Sequence, residues 1–157
     1  MRVGIGYDVH RLVAERPLVL GGVVVPCEMG LAGHSDADVL VHAVIDALLG
    51  AAGQGDIGKH FPDTDEQYKG ISSLCLLEKV KAIIRGAGYT VCNLDSIIVA
   101  QRPKLAPYIV EMTGNLARMM DVPVSKVNVK ATTTEGLGFT GTGDGIAAYA
   151  MASLEEG

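Results

Sequence analysis

The sequence predicts a mixed α/β domain, two-layered in the α+β manner, with helices laid over one face of a sheet. Three observations predict it. β-branched runs at 2–10, 89–101 and 126–135 carry a strand signal, while 35–53, 72–85 and 107–120 carry a helical period. The chain has 157 residues, the length of one domain spanning 1–157, and 48% of them are hydrophobic, enough for a real core. Only 4% are aromatic and Trp is absent, so that core must be aliphatic.

The elements follow in order. "RVGIGYDVH" is a strand with Val3, Ile5, Tyr7 and Val9 on one face and Gly4, Gly6, Asp8 and His10 on the other. On the second face two glycines give away packing surface, then a carboxylate and an imidazole stand side by side. "PLVLGGVVVP" (17–26), broken by Gly21-Gly22, reads as a strand or a hairpin. The helix over 35–53 takes Ser35 as its N-cap with Asp38 three residues on, and Gly50 or Gly53 ends it. Residues 54–70 form a long polar loop of the kind that is usually functional or mobile. In the helix over 72–85, Leu74, Leu77, Val80 and Ile84 make the apolar stripe, and Gly86 and Gly88 stop it. A strand over 89–101 follows, then a helix over 107–120 with Pro107 in its first turn and Ile109, Met112, Leu116 and Met119 on one face. The strand over 126–135 runs into a polar turn. The stretch 145–154 stays open: its alanines favour helix, its uniform apolarity suits a buried strand.

Composition excludes several functions. A formal charge of −5 without a basic run argues against nucleic acid as a partner. Cys27, Cys75 and Cys92 are odd in number and widely spaced, as reduced thiols of a cytoplasmic protein would be. The start lacks a basic, then apolar leader, and no apolar run approaches a membrane span, so neither export nor insertion is expected.

Asp8 and His10 suit a divalent cation, zinc especially; the alternative is a strand end meeting water. Between Val39 and Leu49 the only polar residues are His42 and Asp46, four apart and one helical turn from each other. A buried helix rarely carries such a pair without use. Asp8, His10 and His42 make the three-ligand count of a catalytic zinc site with one open position, and Asp46 could orient a ligand imidazole. The alternative is a core histidine satisfied by its own helix. His34 and Ser35, placed at a helix N-terminus, and "KATTTE" with its hydroxyls and Glu135, suit phosphate and a phosphate-bridging Mg²⁺.

These stretches, "GIGYDVHRL", "GHSDADVLVHAVIDALLGAAGQGDIGKHFPDTD", "AQRPKLAPY" and "KATTTEGLGFTG", closely resemble the 2-C-methyl-D-erythritol 2,4-cyclodiphosphate synthase family of the non-mevalonate isoprenoid pathway. The resemblance covers essentially the whole chain, in the form without a fused cytidylyltransferase. It implies a mixed four-stranded sheet with helices on one face, and a homotrimer around a central axis with active sites between subunits. It makes residues 145–154 a strand. The implied reaction turns 4-diphosphocytidyl-2-C-methyl-D-erythritol 2-phosphate into the 2,4-cyclodiphosphate and CMP.

By the same resemblance Asp8, His10 and His42 hold Zn²⁺, the glycines before them clearing space for a phosphate, and Glu135 holds Mg²⁺ or Mn²⁺ with the substrate phosphates. His34 and Thr133 stabilise the transition state. Asp8, Val9, His10 and His34 bind substrate, and Ser35, Asp56, Ile57, Gly58, Phe61, Pro62, Asp63, Thr64 and Asp65 surround the erythritol and its 2-phosphate. Ala100, Gln101, Arg102, Pro103, Lys104, Leu105 and Ala106 supply a cytosine pocket, with Lys104 near the diphosphate. Thr132, Thr133, Thr134 and Glu135 line the phosphates from a neighbouring subunit, and Phe139 falls at a substrate position. Thr142 and Asp144 stand where the family usually shows arginine and glutamate. Position 142 therefore loses an anion contact, and weak binding of an isoprenoid diphosphate along the trimer axis is expected. A metal-dependent phosphohydrolase, or a non-catalytic binder of nucleotides or isoprenoid phosphates, are the rival readings.

Overall fold

A computed structural model describes residues 1–157. Its strands are β1 (Arg2–Ala14), β2 (Leu18–Leu20), β3 (Val23–Val25), β4 (Met29–Leu31), β5 (Tyr89–Val99), β6 (Val127–Thr132) and β7 (Gly145–Glu156). Its helices are α1 (Val39–Ala52), α2 (Ile57–His60), α3 (Ser73–Gly86), α4 (Ile109–Met120) and α5 (Gly138–Gly141). The main sheet has five strands in the order β4-β1-β7-β5-β6. Only β5 and β6 run parallel; β1 pairs antiparallel with both β4 and β7, and β5 pairs antiparallel with β7.

The expected four strands are thus corrected to five. Met29–Leu31 pairs with the far end of β1, from Leu12↔Leu31 to Ala14↔Met29. A three-residue edge strand has no room for a period, so the sequence pattern does not reveal it. The 17–26 stretch is a hairpin, β2 with β3. Its turn at Gly21 and Gly22 has φ of 57° and 73°, the left-handed pair that a tight two-residue hairpin needs. The open stretch at the C-terminus is β7, between β1 and β5. Ile146, Ala148, Ala150, Ala152 and Leu154 are buried beneath the helices, while Tyr149 and Met151 point away. Period two, not alanine content, decides that element.

Helix α1 is the core of the fold. Every residue in it except Asp46 and Gly50 is buried. It lies so close to β1 that a Cβ at Gly4 would stand 2.0 Å from the Ala47 carbonyl oxygen, and one at Gly6 1.8 Å from that of Ala43. The two glycines therefore admit a helix backbone, which corrects the expectation that they clear space for a phosphate. This close contact carries the ligand-bearing turn of α1 over Asp8 and His10.

Ser35 is not the cap of α1. The helix begins at Val39, and Asp38 accepts from the Val41 N–H. The buried Asp38 carboxylate also accepts from Gly21 N at 2.9 Å and Gly22 N at 2.7 Å, fastening the hairpin turn to the helix start. The polar stretch 54–70 is not structureless either: it holds α2 and a 3₁₀ turn over Glu66–Tyr68. A second 3₁₀ turn, Ala106–Tyr108, leads into α4. No helix is long and apolar enough to cross a membrane.

The opposite face of the sheet is bare. Val3, Ile5, Tyr7 and Val9 on β1 are 57%, 69%, 44% and 42% exposed, and Tyr149 and Met151 on β7 are 45% and 53% exposed. The rings of Tyr7 and Tyr149 meet at a tilt across the strands, their centroids 4.9 Å apart.

Candidate functional site

Asp8 and His10 leave the helix-facing side of β1 just beyond Gly6, and His42 comes down from the first turn of α1. Their ligand atoms converge. Asp8 Oδ2 lies 2.9 Å from His10 Nε2 and 3.1 Å from His42 Nδ1, and the two nitrogens are 3.1 Å apart. A tetrahedral zinc with ordinary bond lengths keeps its ligand atoms about 3.3 Å apart, so the triangle is of the right size.

The far nitrogens fix the tautomers. His10 Nδ1 donates to the Ala32 carbonyl at 2.8 Å, which leaves the Nε2 lone pair facing Asp8. His42 Nε2 lies 2.8 Å from Ser73 Oγ and 3.2 Å from Ser35 Oγ. The Ser73 hydroxyl proton is committed to Asp36 Oδ1, so Ser73 accepts from His42 Nε2 and the His42 Nδ1 lone pair also faces inward. Three lone-pair atoms within about 3 Å, with no proton among them, ask for a cation. Protonation answers the same demand. Burial lowers the His10 pKa, yet the Asp8 hydrogen bond and charge and the Ala32 carbonyl overcome it and raise the pKa. Burial would raise Asp8, but hydrogen bonds from His10 and His42 and their charges hold it at about 2.

These three residues line a cavity of about 520 Å³ together with His34, Ser35, Ile57, Gly58, Phe61, Pro62 and Asp63. The segment 33–36 is gripped from two sides. Arg16 donates to the Gly33 carbonyl at 3.2 Å and to that of Ser35 at 3.1 Å. On the other side Gly70 N donates to the His34 carbonyl at 2.8 Å, Asp36 N to the Ile71 carbonyl at 3.0 Å, and the His34 ring donates from Nε2 to the Asp65 carbonyl at 2.8 Å.

Asp46 does not orient a ligand imidazole. Its Oδ1 accepts the Ile57 N–H at 2.8 Å and holds the start of α2, where Asp56 caps Lys59 N at 3.0 Å. The group behind His42 is instead Asp36 with Ser73. Asp36 sits inside "SDAD" with nothing to single it out, and Ser73 lies in a different helix, so only the fold joins them.

The remaining expected residues lie elsewhere on the chain. Ala100–Ala106 with Ala131, Thr132 and Thr133 line a second cavity of about 370 Å³ that shares no residue with the first. Beyond it the chain turns with Glu135 at φ 55°, its N–H donated to Thr133 Oγ1 at 3.2 Å, while Gln101 Oε1 accepts from Gly136 N at 3.1 Å. Thr134 Oγ1 is held by the Leu137 carbonyl and by Thr140 Oγ1. Phe139 opens beside Val9 and His10 in a smaller cleft. Thr142 donates its hydroxyl to Asp144 Oδ2 at 2.8 Å, so that hydroxyl is already engaged within its own turn.

A rigid α/β scaffold that presents three converging cation ligands at the floor of a cavity defines a metal-site protein of enzyme type. The chain belongs to the YgbB family, whose model matches residues 1–155. A 2-C-methyl-D-erythritol 2,4-cyclodiphosphate synthase of Desulforamulus reducens is 65% identical over 157 residues, 100% of both chains. Among solved structures, the bifunctional IspDF of Campylobacter jejuni has a TM-score of 0.96 at 44% identity, covering 99% of this chain and 42% of that one. A 2C-methyl-D-erythritol-2,4-cyclodiphosphate synthase in its CDP-bound form has a TM-score of 0.90 at 36% identity, covering 98% and 100%.

Proposed function

We propose that this chain converts 4-diphosphocytidyl-2-C-methyl-D-erythritol 2-phosphate to 2-C-methyl-D-erythritol 2,4-cyclodiphosphate and CMP, a step of isoprenoid precursor biosynthesis. The observation that carries the reading is the triangle of Asp8, His10 and His42 opening into the cavity walled by His34, Ser35, Ile57 and Gly58. Full-length relatives that bear this activity's name support it.

The chemistry is intramolecular. An oxygen of the substrate's 2-phosphate bonds to the β-phosphorus, the bond from that phosphorus to the bridging oxygen breaks, and CMP leaves with the oxygen. No protein nucleophile is required. The chain must bring two anionic groups together and offset the charge that builds up. Asp8, His10 and His42 would hold Zn²⁺, and Glu135 with the substrate phosphates would hold Mg²⁺ or Mn²⁺. Bound there, the ions supply Lewis-acid neutralisation of phosphate oxygens. His34 is braced by Asp65, Gly70 and, through its neighbours, Arg16, so its position is set before substrate arrives. Ser35, Asp56, Ile57, Gly58 and residues 61–65 enclose the erythritol phosphate. Ala100–Ala106 take the cytosine with Lys104 beside the diphosphate, and Thr133 meets the phosphates.

The working form is a homotrimer. The bare apolar face of β1 and β7 supports it, as does the division of substrate residues between two cavities: a neighbour's Thr132–Glu135 would complete the cavity that holds Asp8, His10 and His42. The free thiols of Cys27, Cys75 and Cys92 fit a cytoplasmic home.

The test is ³¹P NMR of purified protein incubated with the linear substrate and Mg²⁺. A cyclic diphosphate together with CMP is expected. Inorganic phosphate or an opened product would replace this reading with a hydrolase.

A further inference from the structure

Asp36 and Ser73 have no place among the residues the reaction calls for, yet they are bonded to each other twice and to His42 once. Ser73 is the first residue of α3 and is wholly buried. Its hydroxyl donates to Asp36 Oδ1 and accepts from His42 Nε2 at 2.8 Å, while its N–H donates to Asp36 Oδ2 at 3.1 Å. Asp36 Oδ1 also accepts from Asp38 N at 3.1 Å, just ahead of α1. A carboxylate, a hydroxyl and an imidazole thus form one chain of hydrogen bonds with a single consistent direction of donation. That direction requires His42 to carry its proton on Nε2 and to turn Nδ1 toward Asp8 and His10.

The same two residues sit at the exit of the segment that roofs the cavity. Residues 61–71 lead directly into Ser72 and Ser73. They are sewn to the 34–36 segment by Gly70 N to His34 O, by Asp36 N to Ile71 O and by the His34 ring on Asp65. Phe61 and Tyr68 in that segment meet edge to face at 5.4 Å, and Lys79 of α3 lies over the Tyr68 ring at 5.4 Å. Ile71 and Ser73, two residues apart, both bond Asp36, the first at its N–H and the second at its carboxylate, and Ser73 in turn meets His42.

We infer that Asp36 and Ser73 are positioning residues that lock the His42 tautomer and so tie cation affinity at Asp8, His10 and His42 to the docking of residues 61–73. The inference rests on the metal reading of that triad. Hydrogen bonds behind a ligand imidazole fix its orientation and basicity, and losing one typically weakens metal binding by about 10–100-fold. A serine placed only to start a helix would not behave so, because its removal would lower stability and leave metal affinity alone.

The experiment uses the full chain and two probes, Zn²⁺ with a competing chelator and Co²⁺ by visible absorption. Wild type, Ser73→Ala, Ser73→Thr and Asp36→Asn are compared by hydrogen exchange as well. Ser73→Ala and Asp36→Asn are expected to bind Zn²⁺ about 10–100-fold more weakly with an altered Co²⁺ spectrum, and Ser73→Thr, which keeps the hydroxyl, to recover much of the affinity. Adding Zn²⁺ to metal-free wild type is expected to slow exchange across 61–73, and to do so much less in Ser73→Ala. Should Ser73→Ala fail to fold, Asp36→Asn carries the same test. Unchanged affinity and spectrum in a folded variant would overturn the inference while leaving the metal site intact. A wild type that binds neither ion would remove the metal reading itself.

Discussion

Two stretches of the chain carry most of the proposed chemistry, and they are built in opposite ways. Residues 37–42 are buried and the 33–36 segment before them is braced by Arg16 on one side and by 65–73 on the other, and every ring nitrogen of His10 and His42 has a partner. Residues 132–144 are largely exposed, and most of their side-chain bonds go to one another: Thr134 to Leu137 and Thr140, Glu135 to Thr133, Thr142 to Asp144. The first stretch is preorganised within one chain. The second presents Thr133 and Glu135 on an exposed turn that faces the Ala100–Ala106 segment and shares no cavity with Asp8, His10 and His42. That difference supports the proposed sharing of the site between subunits.

The predictions press on that contrast. His42→Ala strikes the finished half hardest. Metal binding and turnover are expected to fall by more than the about 100-fold typical of an outer hydrogen-bond partner, with the fold retained in circular dichroism. Full zinc content in that variant would break the triad. Next comes the close approach that makes this half possible. Gly6→Ala places a methyl group where the Ala43 carbonyl stands, so destabilisation at or beyond the about 1–3 kcal/mol of ordinary overpacking is expected in urea melts.

Asp38→Ala leaves the buried N–H groups of Gly21 and Val41, at about 1–3 kcal/mol each, and the half-buried one of Gly22 without an acceptor. Its pH dependence has a definite sign. Burial first, then the Asp36 charge, push the Asp38 carboxyl up to about 6 against the pull of its three N–H donors. The folded state therefore holds that proton more tightly than the unfolded chain. The resulting stabilisation is complete below about pH 4 and is lost as the pH rises through about 6. The stability gap between wild type and Asp38→Ala is expected to narrow from pH 4 to pH 7; a widening gap would mean that the donors outweigh burial.

The open half gives the smallest structural effects. Glu135→Gln is expected to leave stability within about 0.5 kcal/mol while turnover collapses, since the side chain supports nothing in its own subunit. Smaller still, wild type should bind geranyl diphosphate weakly by calorimetry and Thr142→Arg more tightly, because Thr142 has neither charge nor a free hydroxyl to offer.

What the sequence made legible follows the same division. The triad was readable because β1 alternates and His42 interrupts an otherwise apolar helix. The strand identity of β7 was not readable from residues alone, as alanines serve equally to let α1 lie close to the sheet. The cap of α1 was misplaced because Ser35, though a good cap residue by type, spends its hydroxyl on Ala37 N and His42. Asp46 misled for a related reason: its spacing from His42 is right, but the nearer unpaired donor is Ile57 N. Asp36 and Ser73 are far apart in sequence and carry no spacing signal, so their relay exists only once α1 and α3 have packed.

Mixing two crippled chains tests the shared site most directly. His42→Ala lacks the finished half and Glu135→Gln the open half, so each alone is expected to be inactive. Dissociated, mixed in equal amounts and reassembled, they are expected to regain about a quarter of wild-type turnover, because one pairing in four brings both intact halves to the same interface. No recovery, in assemblies shown by mass to contain both chains, would mean that each subunit holds a complete site of its own.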